Sequence, residues 1–288
     1  MDFVLHVLIM IGIFTIAGIG YNLIIGYAGL VAACPIIFFG IGAYSSALLT
    51  TSLGFNFIPA MIAGMVIASL LSLIVAVPSL KVHWDYFVLA SMAFQFAMYH
   101  LFLNWVGLTK GADGIKGIPP PNLLGFTFSS QQALLVLVMG FLIIVYLVAS
   151  KLSRSDFGKA LIAISEDEVG CKSLGRNVTQ IKISVFAISA ALTAIGGSLF
   201  AHHLRYICPY NFTLHDTFSI ICIVVIGGLG NIPGTLLGAT ILIAIPELLR
   251  FVALPPDIAG TVRELLYGVV LIIVVMLRPR GLFSRRAH

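Results

Sequence analysis

The sequence is poor in charge. Lys, Arg, Asp and Glu make up 9% of its 288 residues, whereas a soluble globular chain carries about 25%, so that class is excluded. Cysteine is also sparse. Cys34, Cys171, Cys208 and Cys222 form no C-x-x-C pair and show no ligand spacing, and three of them lie in or beside apolar runs. They read as small packing residues and not as a disulfide framework or a zinc site. No Lys or Arg precedes the first apolar run, which continues past Gly20, so the run is expected to be retained and not cleaved as a signal peptide. Nucleic-acid patches are absent too, because the net charge of +5 is gathered in two short stretches of another kind.

Hydrophobicity is what the chain has in excess. Sixty per cent of residues are hydrophobic and the mean hydropathy of +1.10 is spread over the whole length, which describes an all-α polytopic membrane protein in a lipid bilayer. If each span takes roughly 20 residues, eight or nine spans use about 160 to 180 and leave no room for a soluble domain. The chain is read as one transmembrane domain over 1–288. Apolar stretches bounded by polar or Gly/Pro clusters predict spans near 4–25, 36–53, 58–79, 86–103, 131–150, 181–204, 217–229, 235–254 and 261–277. The second and seventh are short and glycine-rich, which marks them as candidates for broken or re-entrant helices.

The basic residues orient these spans. Lys151, Arg154, Lys159, Lys172, Arg176 and Lys182 crowd one loop, and Arg278, Arg280, Arg285 and Arg286 crowd the C-terminal tail. Both are expected in the cytoplasm, with Lys81. The 104–130 loop, which holds Gly111, Gly114, Gly117 and Pro119-Pro120-Pro121, is then outside, stiff and irregular. The side on which the chain starts stays open, because it depends on whether an early segment is re-entrant.

The cytoplasmic loop, about 151–180, reads as structured. Ser165-Glu166-Asp167-Glu168 fits an S-x-x-E capping box, with Ser165 as N-cap. Acids at the start suit the helix dipole, Glu168 and Lys172 stand at i, i+4, and Gly175 supplies a stop, which predicts a helix of about nine residues. Ahead of it Phe157, Leu161 and Ile164 form an amphipathic stretch. A solvated interspan loop and a partner-docking loop are both compatible with this pattern.

Catalytic machinery is not visible. The one Gly-Lys pair, Gly158-Lys159, is followed by Ala160, so no nucleotide-binding phosphate loop is present. H-E-x-x-H and G-x-S-x-G are also missing, and His202-His203 with His215 lack metal-ligand spacing. No metal and no cofactor is assigned to the chain. The acids Asp2, Asp85, Asp113, Asp156, Asp216, Asp257 and Glu264 all fall at predicted span ends. Only Glu247, one turn from Arg250, is arguably inside a span, which disfavours a proton- or sodium-driven carrier. Gly/Pro interruptions occur in both halves, at Gly26-Tyr27-Ala28-Gly29, Cys34-Pro35 and Gly40 to Tyr44, and again at Gly227-Gly228-Leu229-Gly230 through Pro233-Gly234 and Gly238. Paired interruptions point to a translocation site, while glycines are also ordinary close-packing residues between membrane helices. Asn22, Gly26, Tyr27, Gly29, Tyr44, Gly227 and Gly228 are the candidates for that path.

Several of these segments together resemble the permease subunits of ABC importers for branched-chain amino acids, urea and related small solutes. The resemblance lies in Asn22-Leu23-x-x-Gly26-Tyr27-Ala28-Gly29, in Phe38-Phe39-Gly40-Ile41-Gly42-Ala43-Tyr44, in Asp85-Tyr86-Phe87 and in Leu108-Thr109-x-Gly111-x-x-Gly114. It continues through Arg154-Ser155-x-x-Gly158, Glu166-Asp167-Glu168, Gly175-x-Asn177, Val225-Ile226-Gly227-Gly228-Leu229-Gly230 and Arg278-Pro279-x-Gly281-Leu282-Phe283.

The resemblance implies a transport subunit in a bacterial inner membrane that catalyses no covalent chemistry and has its C-terminus in the cytoplasm. It implies a second homologous permease in a heterodimer, two cytoplasmic ATPases that use ATP and Mg, and an extracytoplasmic solute-binding protein. The segment Ser165 to Leu174, with Arg154, Gly158, Gly175 and Asn177, would be the element coupled to an ATPase. The solute would be a branched-chain amino acid or a related small polar or amphipathic molecule. A self-contained secondary transporter or channel is the alternative. Two departures stand out: Leu30 to Pro35 replaces a polar stretch resembling Gln-x-Ser-x-Gly-His, and Ser165 stands where arginine is common.

Overall fold

The structure, a computed structural model, describes residues 2–79, 84–123, 126–249 and 268. Apart from Gly268, the predicted span 261–277 lies outside the described residues, as do the basic tail residues, Lys81, Arg250, Asp257 and Glu264. The long helices are α1 (Asp2–Asn22, continued by a π-helical turn Leu23–Tyr27), α2 (Pro35–Ser52), α3 (Phe57–Ser79) and α4 (Trp84–Asn104). After the short α5 (Val106–Thr109) come α6 (Gln131–Arg154), α7 (Asp156–Glu166), α8 (Glu168–Ser173), α9 (Val178–Leu204), α10 (Leu214–Gly227) and α11 (Ile232–Leu249). Seven helical stretches among the described residues are long and apolar enough to cross a membrane, and Ile232–Ala244 is a shorter apolar helix. The seventh of them, Pro209–Gly227, joins a 3-10 turn to α10.

Helix α9 is the centre of the bundle, with α1, α2 and α3 packed around it. In lipid there is no hydrophobic drive between helices, so association relies on close backbone approach and interhelical hydrogen bonds. Both occur here. A Cβ on Gly42 would collide with the backbone of Ala194, and one on Gly197 with the carbonyl of Phe39. Hydroxyls then bond across the contacts: Ser189 donates to the Gly20 carbonyl at 2.5 Å, Ser198 to Gly42 at 3.1 Å and Ser69 to Ala187 at 3.0 Å.

These pairings fix the direction of each helix. His6 meets His203 at 2.8 Å while Gly20 meets Ser189, so α1 runs antiparallel to α9. The start of α1 therefore lies on the face that carries the 105–127 loop. That face is tied together by antiparallel pairing of β1 (Ile115–Lys116) with β4 (Tyr206–Ile207) and by His202. The Pro119 carbonyl can only accept, so the His202 Nδ1–H donates to it at 2.8 Å, and in the neutral ring Nε2 accepts from the Ser46 hydroxyl at 2.9 Å. A second small ribbon pairs β2 (Asn122–Leu123) with β3 (Phe126–Thr127). The opposite face carries α7 and α8.

Two sequence-based expectations need correction. Gly40 and Gly42 do not interrupt α2, and Pro233, Gly234 and Gly238 do not interrupt α11. The breaks lie just ahead of each helix, at 28–34 and 228–231, because proline fits the first turn of a helix and glycine allows tight helix pairs. Asp216, moreover, is not at a span end. The segment 205–213 dips into the bundle, so that the Phe212 carbonyl accepts from Gln95 Nε2 at 3.3 Å and Thr217 Oγ1 lies 3.5 Å from Gln95 Oε1. Gln95 sits near the midpoint of α4. Helix α10 therefore begins inside the bundle, beside Gln95 of α4.

Candidate functional site

The loop between α6 and α9 folds into two capped helices. Ser155 accepts from the Gly158 amide at 3.4 Å to start α7, and a Cβ on Gly158 would collide with the Ser153 carbonyl, so the corner after Arg154 needs glycine. Leu161 and Ile164 are buried and Phe157 half-buried, as the amphipathic spacing predicts. Helix α7 continues through Glu166, and this displaces the expected cap. Ser165 is in its last turn and donates to the Ile162 carbonyl at 2.7 Å. Asp167, in extended conformation, is the N-cap of α8 and accepts from the Gly170 amide at 2.9 Å. The apolar side of α7 holds the helix together past Ser165, and the shorter carboxylate takes over where the chain turns.

The predicted helix of about nine residues is accordingly six, Glu168–Ser173. Its end is as expected: Gly175 has φ +76, its amide donates to Lys172 at 3.0 Å, and the Arg176 amide donates to Cys171 at 3.2 Å. This is a Schellman stop that a left-handed residue must complete. Asn177 then caps α9 through the Gln180 amide at 3.2 Å. Val169 and Leu174 are 76% and 83% exposed, two large apolar side chains held out on a polar helix.

Glu168 does more than the predicted pairing with Lys172, which is present at 2.9 Å. It also binds Lys182 on α9 at 2.6 Å. Lys182 has only 10% of its side chain exposed, so this ion pair is the partly dry one and joins α8 to a transmembrane helix. Burial raises the Glu168 carboxyl, but hydrogen bonds from Lys182 and Lys172 and their charges outweigh it and hold it below the usual carboxylate range. The charge pattern registered Lys182 only as a cytoplasmic cation, since nothing local shows that it reaches back fourteen positions to Glu168.

The two breaks meet beneath the bundle on this same face. Asn22 is fully buried and its amide serves three groups: Nδ2 donates to the Asn231 carbonyl at 3.1 Å and lies 2.9 Å from Thr235 Oγ1, while Oδ1 accepts from the Gly230 amide at 2.9 Å. A Cβ on Gly26 would collide with the Gly230 backbone. Gly227 packs as closely on Gly234, and Gly228 bends the chain with φ +107. Tyr27 is buried, and Tyr21 donates to the Ala32 carbonyl at 2.7 Å. A Cβ built on Gly29 lies 3.1 Å from that of Ser165. The break after α1 thus touches the last turn of α7.

Tyr44 is elsewhere. It sits toward the opposite face, its ring 4.6 Å from Phe102 and 5.7 Å from Phe212, with a buried hydroxyl that has no hydrogen-bond partner. It helps line an apolar cavity of about 490 Å³ with Ile41, Leu48, Met98 and Trp105. The structure therefore joins Asn22, Gly26, Gly29 and the 227–230 turn to the α7–α8 loop, and leaves Tyr44 apart. His202 and His203 diverge to Ser46 and His6. No group of three or more metal-ligating side chains occurs among the described residues.

A family model described as branched-chain amino acid transport system, permease component, matches residues 3–275. The chain is 31% identical to the high-affinity branched-chain amino acid transport system permease protein LivM of Salmonella typhimurium, over 94% of this chain and 67% of that one. The corresponding LivM of Escherichia coli K12 is 30% identical over the same shares. The permease protein LivH of Escherichia coli K12 is 26% identical over 63% of this chain and 59% of its own length. No solved structure matches.

Proposed function

The chain belongs to the family of branched-chain amino acid transport permeases, and from that premise we propose how its parts serve transport. It is a permease subunit of an ABC importer for a branched-chain amino acid or a related small solute, and ATP hydrolysis resides in separate subunits. It pairs with a second, homologous permease in a bacterial inner membrane, with α7 and α8 in the cytoplasm, two ATPases below and a solute-binding protein on the opposite side.

Helix α8 is the coupling element. The observation that carries this reading is its construction: two exposed apolar side chains, Val169 and Leu174, on a capped helix that is locked to α9 by Glu168 and Lys182. An ATPase cleft covers the apolar residues, and the ion pair passes its movement to α9. Arg154, Gly158 and Asn177 shape the ends of the helices that carry α8, while Glu166 and Asp167 set the turn between α7 and α8. Ser165, against Gly29, passes the same movement to the break after α1. Asn22, Gly26, Tyr27, Gly29, Gly227 and Gly228 form the inner end of the path, and Tyr44 lies along its outer part.

Co-purification with the ATPase subunits and ATP-driven uptake test this reading. Leu174→Asp and Glu168→Ala are expected to lower both while membrane insertion is intact. Unchanged attachment and uptake in both variants would remove the coupling role. Solute flux through the purified chain alone in liposomes, driven by a proton or sodium gradient, would point to the secondary-carrier alternative.

A further inference from the structure

The corner between α7 and α8 encloses a cavity of about 300 Å³. Its origin is local. Ala160 and Ala163 stand three positions apart on α7, where longer side chains would fill the space, and α8 is held by the Asp167 cap and the Glu168–Lys182 pair and does not close over them. The buried Ile164 and the half-buried Ile181 complete an apolar base. The edge is charged. Asp156 and Lys159 pair with each other at 3.1 Å, both largely exposed, whereas Arg176 forms no ion pair with any described residue. One positive charge is thus left over beside an apolar recess. A carboxylate on an aliphatic chain matches that arrangement, because the guanidinium fork takes both oxygens and the recess takes the hydrocarbon.

We infer that the α7–α8 cleft is a binding site for a short aliphatic carboxylate, and that its occupancy regulates attachment of the ATPase. The importer reading, on which this step rests, supplies the molecule: the branched-chain amino acid delivered to the cytoplasm. Arg176 takes the carboxylate, Ile164 and Ile181 take the branched chain, and Asp156 is the acceptor for the ammonium. An exposed ion pair is worth little by itself, so Asp156 leaves Lys159 at small cost. Leu174, largely exposed, borders the same cleft and is one of the two apolar side chains offered to the ATPase. The bound acid and the ATPase compete to cover it. Occupancy and attachment therefore oppose each other, by the same factor in both directions, and solute that accumulates inside loosens the ATPase from this subunit.

The native chain carries its own reporter. Cys171 lines the cleft and is half-buried, while Cys34, Cys208 and Cys222 are buried, so alkylation of Cys171 by N-ethylmaleimide, read on this chain by mass spectrometry, follows occupancy. The assembled transporter in inside-out vesicles is labelled with and without millimolar L-leucine, isocaproate or isoamylamine. Both acids are expected to slow labelling severalfold, leucine more than isocaproate, and the amine to have no effect. Leucine should also lower retention of the ATPase subunits severalfold. Arg176→Gln should remove the protection, and Ala163→Leu, which fills the cleft, should slow labelling with no ligand present. Labelling that neither acid slows, or protection that persists in Arg176→Gln, overturns the site. Cys171 closed to the reagent in the assembled transporter but open in the chain alone gives the cleft to the ATPase and overturns it as well. ATP-driven uptake by right-side-out vesicles reads the importer assignment separately. Protection without such uptake would remove that assignment and leave a carboxylate site, whereas uptake without protection would remove only the site.

Discussion

Helices α8 and α10 both use an aspartate where they begin, but differently: Asp167 is the N-cap of α8, whereas Thr213 caps α10 and Asp216 bonds back to it. At α8, Asp167 accepts from the Gly170 amide on an exposed loop. At α10, Asp216 accepts from the Thr213 amide at 3.0 Å and from its hydroxyl at 2.6 Å, both part-buried. The first set of bonds is exposed and the second part-buried, so water replaces the first more readily. Related capping chemistry therefore carries unequal weight, and the difference separates an exposed loop helix from a helix of the bundle.

Asp216→Ala is expected to have the largest effect. It strips an acceptor from two part-buried donors, and an unmade buried hydrogen bond costs about 1–3 kcal/mol. Uptake per assembled transporter should fall by about tenfold or more, since about 1.4 kcal/mol is a factor of ten. Asp216→Asn, which still accepts, should recover most of it. Wild-type uptake in the alanine variant would end the contrast between the two helix starts.

Glu168→Ala comes next, because it leaves the nearly enclosed Lys182 without its carboxylate; ATPase attachment should drop severalfold. The same pair sets a pH dependence. Since the folded carboxyl titrates below its ordinary value of 4.5, folding stabilises the ionised form. The contribution is fully present above the unfolded value and is lost as pH falls through the lower, folded one. Attachment of the wild type should therefore survive acidification through the usual carboxylate range. Glu168→Gln should show weaker attachment with that dependence removed. Identical pH profiles for the two would argue against the ion pair.

Asp167→Ala removes an exposed cap worth about 1 kcal/mol. Faster amide exchange over 168–173 with a modest loss of attachment is expected, smaller than the loss in Asp216→Ala. Gly175→Asn should perturb attachment least of the four, because Asn tolerates the left-handed conformation of the Schellman stop and no atom stands within 4 Å of the added Cβ. A loss as large as that of Glu168→Ala would show that an ATPase surface presses on this turn.

Legibility in the sequence followed the range of the interaction. The spans were readable because each is a continuous apolar run, and the observed helices follow them closely: α3 is predicted at 58–79 and found at Phe57–Ser79. The stop at Gly175 and the Glu168–Lys172 pair were readable because both are settled within one turn. Ser165 was misjudged as a cap although the signal was local, since the apolar residues of α7 extend that helix past it. Lys182, Gln95 and Asp216 acquire their roles from partners on other elements. A polar stripe at Ser91, Gln95 and Tyr99 in an otherwise apolar span was the one available sign of the side that α4 turns to the bundle.

Composition and period by themselves determined that this chain lives in a bilayer and where most of its apolar helices run. They could do so because burial in lipid and helix termination are satisfied within a single segment. Tertiary structure decided that the breaks at 28–34 and 228–231 meet through Asn22, that α8 is bolted to α9, and that α10 starts beside Gln95 of α4. Those outcomes depend on which glycine-lined surfaces approach and which amides then find partners, and no single segment contains both halves of such a contact.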